Sequence, residues 1–140
     1  MNPITVLLAD DNRLVRTEYR KSLALEADLK VVGEARDGRH AVELVGKLLP
    51  HLVLMDVAMP RVNGLEATRQ IVLAYPATKV IMLSAYNDIA YVVAAFEAGA
   101  MGYLIKQTSA DLVAAAIRAV DQGKRYFSPS IPQKLQQRLS

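Results

Sequence analysis

Five side chains of this sequence could do chemistry together: Asp10, Asp11, Asp56, Ser84 and Lys106, each placed where an apolar run ends. Three carboxylates with no histidine or cysteine beside them are hard oxygen ligands. They suit Mg²⁺, which keeps several waters and takes only one or two carboxylates. Two like charges about 4 Å apart repel by roughly 4 kcal/mol at an effective dielectric of 20. Such a cluster persists only if a cation sits in it or a pKa rises. Lys106 adds a mobile point charge suited to a phosphoryl oxygen, and Ser84 a short donor and acceptor. Together these groups are equipment for receiving a phosphoryl group.

Each signal alone is weak. An Asp-Asp pair before a helix is more often an N-cap than a metal site. A lysine at a strand end usually snorkels to solvent, and a serine there is usually a turn residue. Met55 and Met59 read as core filling, and His40 and His51 as ordinary surface or boundary histidines. The coincidence carries the reading, because buried runs set where all five residues fall.

The elements that must position them alternate. Apolar runs at residues 4–9, 30–35, 51–56, 79–84 and 102–105 are separated by helical patterns. The central stretch, residues 51–64 (HLVLMDVAMPRVNG), is a short apolar strand ending in Asp56, followed by a loop with Met59-Pro60 and Asn63-Gly64. An unbroken apolar run of this length fits a strand buried on both faces. The helical patterns cover residues 12–25, a stretch burying Ala41, Val42, Leu44, Val45 and Leu48, and residues 65–74. Two more carry Ile89, Val92, Val93 and Phe96, and Leu112, Val113, Ala116, Ile117 and Val120. Gly99 fits a left-handed C′ position, and Thr108 or Ser109 is placed to cap the last helix.

Strand–helix alternation five times over predicts an α/β fold, a doubly wound five-stranded parallel sheet of flavodoxin-like (βα)5 form with strand order 2-1-3-4-5. In that order the polar strand ends converge on one edge, with strand two outside the group. Ligands bind outside the carboxyl ends of such strands.

Composition bounds the rest. The 140 residues are 52% hydrophobic, enough for one domain with a sizeable core. No stretch free of charged residues exceeds nine, so no membrane span or signal sequence is expected, and a cytoplasmic location is the default. Without cysteine there is no disulfide framework or thiolate metal site. The net charge of +3 comes from residues 121–140, where Lys124, Arg125, Lys134 and Arg138 face only Asp121. A high pI confined to a tail is a weak sign of nucleic-acid binding.

The motifs Asp10-Asp11, residues 56–60 (DVAMP), Asn63-Gly64, Leu83-Ser84-Ala85 and residues 99–106 (GAMGYLIK) resemble the series found in receiver domains of two-component response regulators. The resemblance covers about residues 3–123, and VVGEARDG, GLEAT and GAMGYLIK are similar to the NarL/FixJ subfamily, whose members usually carry a LuxR-type helix-turn-helix domain after the receiver. The resemblance implies that Asp56 accepts a phosphoryl group from a phosphohistidine on a sensor histidine kinase. It implies Mg²⁺ held by Asp11, Asp56 and the backbone carbonyl of Ala58, with Asp10 acting through water. Ser84 would bind one phosphoryl oxygen and Lys106 another. Tyr103 matches a switch aromatic that turns inward, although a half-buried strand aromatic would look the same, and Ala85 matches a small residue that leaves the phosphoryl oxygens accessible.

The sequence departs from the family in two places. Ser84 stands where threonine is common, and Gln107 follows Lys106 where proline is frequent, so that bond is expected to be trans or strained. Ala58 and Tyr86 occupy positions that tune phosphoryl lifetime in the family.

The expected domain spans residues 1–123, with residues 124–140 a basic linker or tail containing a possible short helix with Leu135 and Leu139. Those residues are too few for an independent DNA-binding domain. The chain therefore reads either as a stand-alone receiver or, preferred here, as one that stops in the linker of a transcription factor. DNA would then be contacted only through a domain absent from this sequence. The face of the fourth helix, fifth strand and fifth helix, with Tyr91 and Tyr103, is the expected output surface, and homodimerisation on phosphorylation is expected. An aspartate-nucleophile phosphatase would want a carboxylate two residues after Asp56, where Ala58 stands. A pseudo-receiver serving only for docking fits poorly with a full set of charged site residues.

Overall fold

The structure, a computed structural model, describes residues 2–59, 61–85, 88–106 and 108–140. Pro60, Tyr86, Gln107 and the Lys106–Gln107 bond lie outside the described residues. The chain runs β1 (Ile4–Ala9), α1 (Arg13–Ala24), β2 (Leu29–Ala35), α2 (Gly38–Leu48), β3 (Leu52–Asp56) and α3 (Gly64–Ala74). It continues through β4 (Lys79–Ser84), α4 (Ile89–Glu97), β5 (Gly102–Ile105), α5 (Ala110–Asp121), β6 (Tyr126–Phe127) and α6 (Gln133–Leu139).

All strand pairs are parallel and the order is β2-β1-β3-β4-β5-β6. The flavodoxin-like α/β sheet is as expected, but it has six strands and not five. The added strand pairs Gly102 with Tyr126 and Tyr103 with Phe127. Two residues carry no period-2 pattern, so nothing in residues 123–140 marked a strand.

Every residue of β3 is buried, as its unbroken apolar run requires. Alternation along the strands sorts the core into two layers. Leu7, Ala9, Val53, Met55, Met82 and Tyr103 face α2, α3 and α4. Val6, Leu8, Leu54, Ile81, Leu83 and Leu104 face α1 and α5. Met55 and Met59 are both buried in the first layer. His51 stitches the lower ends of the sheet: its Nδ1 accepts from the Thr5 N–H at 2.9 Å, and its own N–H donates to Thr5 Oγ1 at 3.0 Å.

Helix ends follow side-chain chemistry. Asn12, and not the Asp10-Asp11 pair, caps α1, its Oδ1 accepting from the N–H groups of Leu14 and Val15. Asn63 caps α3, accepting from the Glu66 N–H. Neither residue expected to cap α5 does so through its side chain: Ser109 sits at the N-cap without a side-chain bond, and the Thr108 hydroxyl donates instead to the Ile105 carbonyl. Gly99 follows α4 with φ of 106°, the left-handed conformation expected there.

The C-terminal segment is packed onto the sheet. Ile131 and Leu135 are buried in the same layer as Tyr103 and Phe96, and the Phe127 ring stacks on Phe96 at 4.9 Å. Ile131→Ala should therefore cost about 2–5 kcal/mol of folding stability. Urea unfolding of the full chain checks this, and a change within about 0.5 kcal/mol would show that the segment contributes nothing to the core.

Candidate functional site

Strand register sets the site. Ala9 pairs with Met55, so Asp10 and Asp56, the next residues along, leave neighbouring strands at the same level. Asp56 pairs with Leu83 and Ser84 with Ile105, so Ser84 and Lys106 follow one step later along the next two strands. Side-chain alternation then divides the group. Asp10, Asp56 and Lys106 continue the layer of Leu8, Leu54 and Leu104, while Ser84 continues that of Met82 and Tyr103.

Asp10, Asp11 and Asp56 each offer a carboxylate oxygen within 4.8 Å of the others, with Asp10 and Asp56 buried and Asp11 exposed. The Lys106 ammonium lies 3.1 Å from Asp10 Oδ2 and 3.3 Å from Asp56 Oδ1. Asp10 Oδ2 is buried, and among the described residues its partner is the Lys106 ammonium, so its remaining lone pair faces the cluster. A buried acceptor of this kind fits a hard cation, whose charge also offsets the repulsion among the carboxylates. The donor set is all oxygen, which suits Mg²⁺ better than a softer metal. Asp11, at the mouth, keeps the route to solvent open.

Burial first, and the Asp10 carboxylate second, push the Asp56 carboxyl up to about 6, against opposing pulls from Lys106 and the Ala58 N–H. That N–H donates to Asp56 Oδ1 at 3.3 Å. For Lys106, burial works to lower its pKa, but contacts with Asp10 and Asp56 outweigh it and the ammonium is held above its ordinary range.

Gly64 brings α3 up against the end of β3. Its N–H donates to the Val57 carbonyl at 2.9 Å, and a Cβ there would lie 1.9 Å from the Asp56 carbonyl oxygen. No residue with a side chain fits, which accounts for glycine directly after the Asn63 cap.

Ser84 is buried and its hydroxyl bonds the Tyr103 phenol, whose pKa burial raises and Ser84 partly restores. Tyr103, anticipated on the output surface as a half-buried aromatic, is instead fully buried. Tyr91 is partly exposed on α4, and Ala58 and Ala85 are exposed at the strand ends. Sequence reasoning left the end of β2 outside the site. Glu34 nevertheless binds Arg16 and Arg20 of α1, and Arg16 Nη1 donates to the Asp10 carbonyl at 2.6 Å. An acidic residue one step short of a strand end was the only available signal.

Residues 6–118 match the family model described as the response regulator receiver domain. The Transcriptional regulatory protein DegU of Brevibacillus brevis is 42% identical over 96% of this chain and 57% of its own length. The chain thus spans just over half of that relative. A two-component response regulator of the LuxR family from Aurantimonas sp. SI85-9A1 superposes with a TM-score of 0.90 at 33% identity, covering 99% of this chain and all of that one. The signal receiver domain of the putative response regulator NarL from Mycobacterium tuberculosis gives 0.84 at 32% identity, over 89% of this chain and all of that one.

An acid whose folded-state pKa lies above its unfolded value weakens the fold when it ionises. For Asp56 that cost is absent below about pH 4, grows toward pH 6 and is full above it, amounting to about 3 kcal/mol. In chelator-treated buffer, Asp56→Asn should flatten the pH dependence of stability between about pH 4 and 6. It should also be more stable than the unsubstituted chain by about 1–3 kcal/mol at neutral pH. Urea unfolding across that range checks both, and an unchanged slope would mean that Asp56 titrates normally.

Proposed function

The chain belongs to the receiver-domain family of two-component response regulators, of NarL/FixJ type, and on that premise we propose that Asp56 is its phosphoacceptor. The supporting observation is the Lys106 ammonium bridging the buried carboxylates of Asp10 and Asp56, with Asp11 close by at the solvent-exposed side. Receiver domains bind Mg²⁺ at an acidic cluster. Here Asp11, Asp56 and the Ala58 carbonyl would hold it directly, with Asp10 through water. Bound Mg²⁺ supplies positive charge that offsets charge developing on the transferred phosphoryl oxygens.

Transfer is a displacement at phosphorus. A carboxylate oxygen of Asp56 forms the new P–O bond as the P–N bond of a kinase phosphohistidine breaks, and the imidazole nitrogen leaves with the electron pair. The raised pKa of Asp56 falls when positive charge arrives, so the nucleophile is anionic at neutral pH. Lys106 already sits against Asp56 and needs only a short movement of its flexible stem to pair with a phosphoryl oxygen. The Ser84 hydroxyl, drawn to a second oxygen, gives up or rearranges its bond with Tyr103, and that links the site to β5. Ala85 leaves room above the acceptor. Water later attacks phosphorus, which returns the Asp56 carboxylate and inorganic phosphate. Magnesium-dependent self-phosphorylation from small donors and self-dephosphorylation are thus the only chemistry proposed, in a receiver that is a signalling module.

A groove of about 470 Å³ beside Lys106, lined by Leu14, Val15, Tyr19, Thr108 and Ala110, supports a protein phosphodonor. Leu14 is 76% exposed there, apolar surface that a kinase helix would cover. We propose a cytoplasmic location, in keeping with the lack, among the described residues, of any helix long and apolar enough to cross a membrane. The proposed domain ends near residue 123, with residues 124–140 a docked connector to an output domain that binds DNA, as in a transcriptional regulator. Homodimerisation on phosphorylation is part of the proposal. On the face of α4, β5 and α5, β6 now lines the outer edge of β5.

Acetyl phosphate with Mg²⁺ should place one acid-stable, hydroxylamine-labile phosphoryl group on each chain, and none on Asp56→Asn. Stoichiometric labelling of that variant would overturn the assignment. Sedimentation with beryllofluoride and Mg²⁺ should show dimers, and an unchanged monomer at high concentration removes dimerisation from the proposal.

A further inference from the structure

Asp10 is fixed on three sides. Its N–H donates to the Ala35 carbonyl at 3.0 Å, its Oδ1 accepts from the Asn12 N–H at 2.9 Å, and its carbonyl accepts from Arg16 Nη1 at 2.6 Å. These bonds leave Oδ2, which is buried, with the Lys106 ammonium at 3.1 Å as its partner and directed at the other carboxylates. The Arg16 side chain is only 14% exposed and is itself held, its Nε donating to Glu34 Oε1 at 3.0 Å. The second oxygen of Glu34 accepts from Arg20 Nη1 at 2.7 Å.

We infer that Arg16, braced by Glu34, is a positioning residue for the cation site, holding the Asp10-Asp11 backbone so that Asp10 Oδ2 faces the place a bound ion would take. The inference rests on the reading of Asp10, Asp11 and Asp56 as a Mg²⁺ site. Arg16 touches neither the ion nor the phosphoryl group in this arrangement. It acts through the Asp10 carbonyl, which lies beyond the last β1 residue and so outside the strand ladder. A guanidinium offers its donors in a rigid fork and serves that carbonyl and the Glu34 carboxylate together, whereas an ammonium is a point charge that cannot span both. Glu34 has a second effect. An uncompensated cation beside an acidic cluster would compete with the metal's charge, and the carboxylate of Glu34, shared with Arg20, offsets part of it. Partners of this outer kind cost 10–100-fold in metal affinity when removed from other sites.

Calorimetric titration of the unphosphorylated full chain with Mg²⁺ tests this, alongside the NMR shift of the Asn12 amide and the Mg²⁺ dependence of labelling by acetyl phosphate. Arg16→Lys and Arg16→Met should weaken Mg²⁺ binding about tenfold or more, with Glu34→Gln shifting it in the same direction. The half-saturating Mg²⁺ for labelling should rise by the same factor, while the maximal rate at saturating Mg²⁺ changes little. A general loss of structure would instead lower the maximal rate and the melting temperature together. If Arg16→Met fails to fold, the conservative Arg16→Lys and Glu34→Gln still decide the matter. Wild-type Mg²⁺ affinity in those two folded variants overturns this inference alone. No Mg²⁺ binding by the unsubstituted chain overturns the metal-site reading, and this inference with it.

Discussion

Three carboxylates and one ammonium must share a crevice at the top of a hydrophobic sheet, and the rest of the structure follows from that charge imbalance. Asp10 and Asp56 are both buried, so their repulsion is not relieved by bulk water. Lys106 removes part of it, while burial first and the Asp10 carboxylate second still raise the Asp56 pKa. Such an arrangement is poised, because adding a cation relieves it. It survives folding because β3, buried along its whole length, cannot shift register without exposing an apolar run.

The two layers of the sheet divide the work. On the side of α1 and α5 lie the carboxylates and Lys106, where charge is handled. Ser84 and Tyr103 lie on the other side, among the apolar residues that face α2, α3 and α4. β5 belongs to both, because Tyr103 and Lys106 sit three residues apart on one short strand end. Its outer edge is closed by the C-terminal segment. The Ser128 N–H donates to the Tyr103 carbonyl at 2.9 Å, and Ser128 Oγ accepts from the Ile105 N–H at 3.0 Å. The C-terminal segment is thus bonded directly to the strand that carries Tyr103. The Arg125 guanidinium, 5.5 Å from the Phe96 ring centre, adds a contact between this segment and α4.

Elsewhere the scaffold holds its loops with ordinary means. Arg118 of α5 pairs with Asp28 at 2.8 Å and Glu26 at 2.6 Å, which fastens the turn before β2. The pair is partly exposed, so it orients more than it stabilises. Gly64 matters more for the site, because only a residue without Cβ lets α3 start directly against the Asp56 carbonyl.

By itself the sequence determined the parallel sheet, its order through the fifth strand, and Asp10, Asp11, Asp56 and Lys106 as one group. Apolar periodicity sets register, and register sets which polar residues emerge together. Tertiary structure alone decided the sixth strand, the burial of Tyr103 and the part played by β2. A two-residue strand has no period to read, and the orientation of Tyr103 depends on what covers β5. The bonds from Glu34 to Arg16 and from Arg16 to the Asp10 carbonyl join residues 18 and 6 positions apart. Such contacts between chain segments leave no local pattern, because they depend on where α1 comes to rest on the folded sheet.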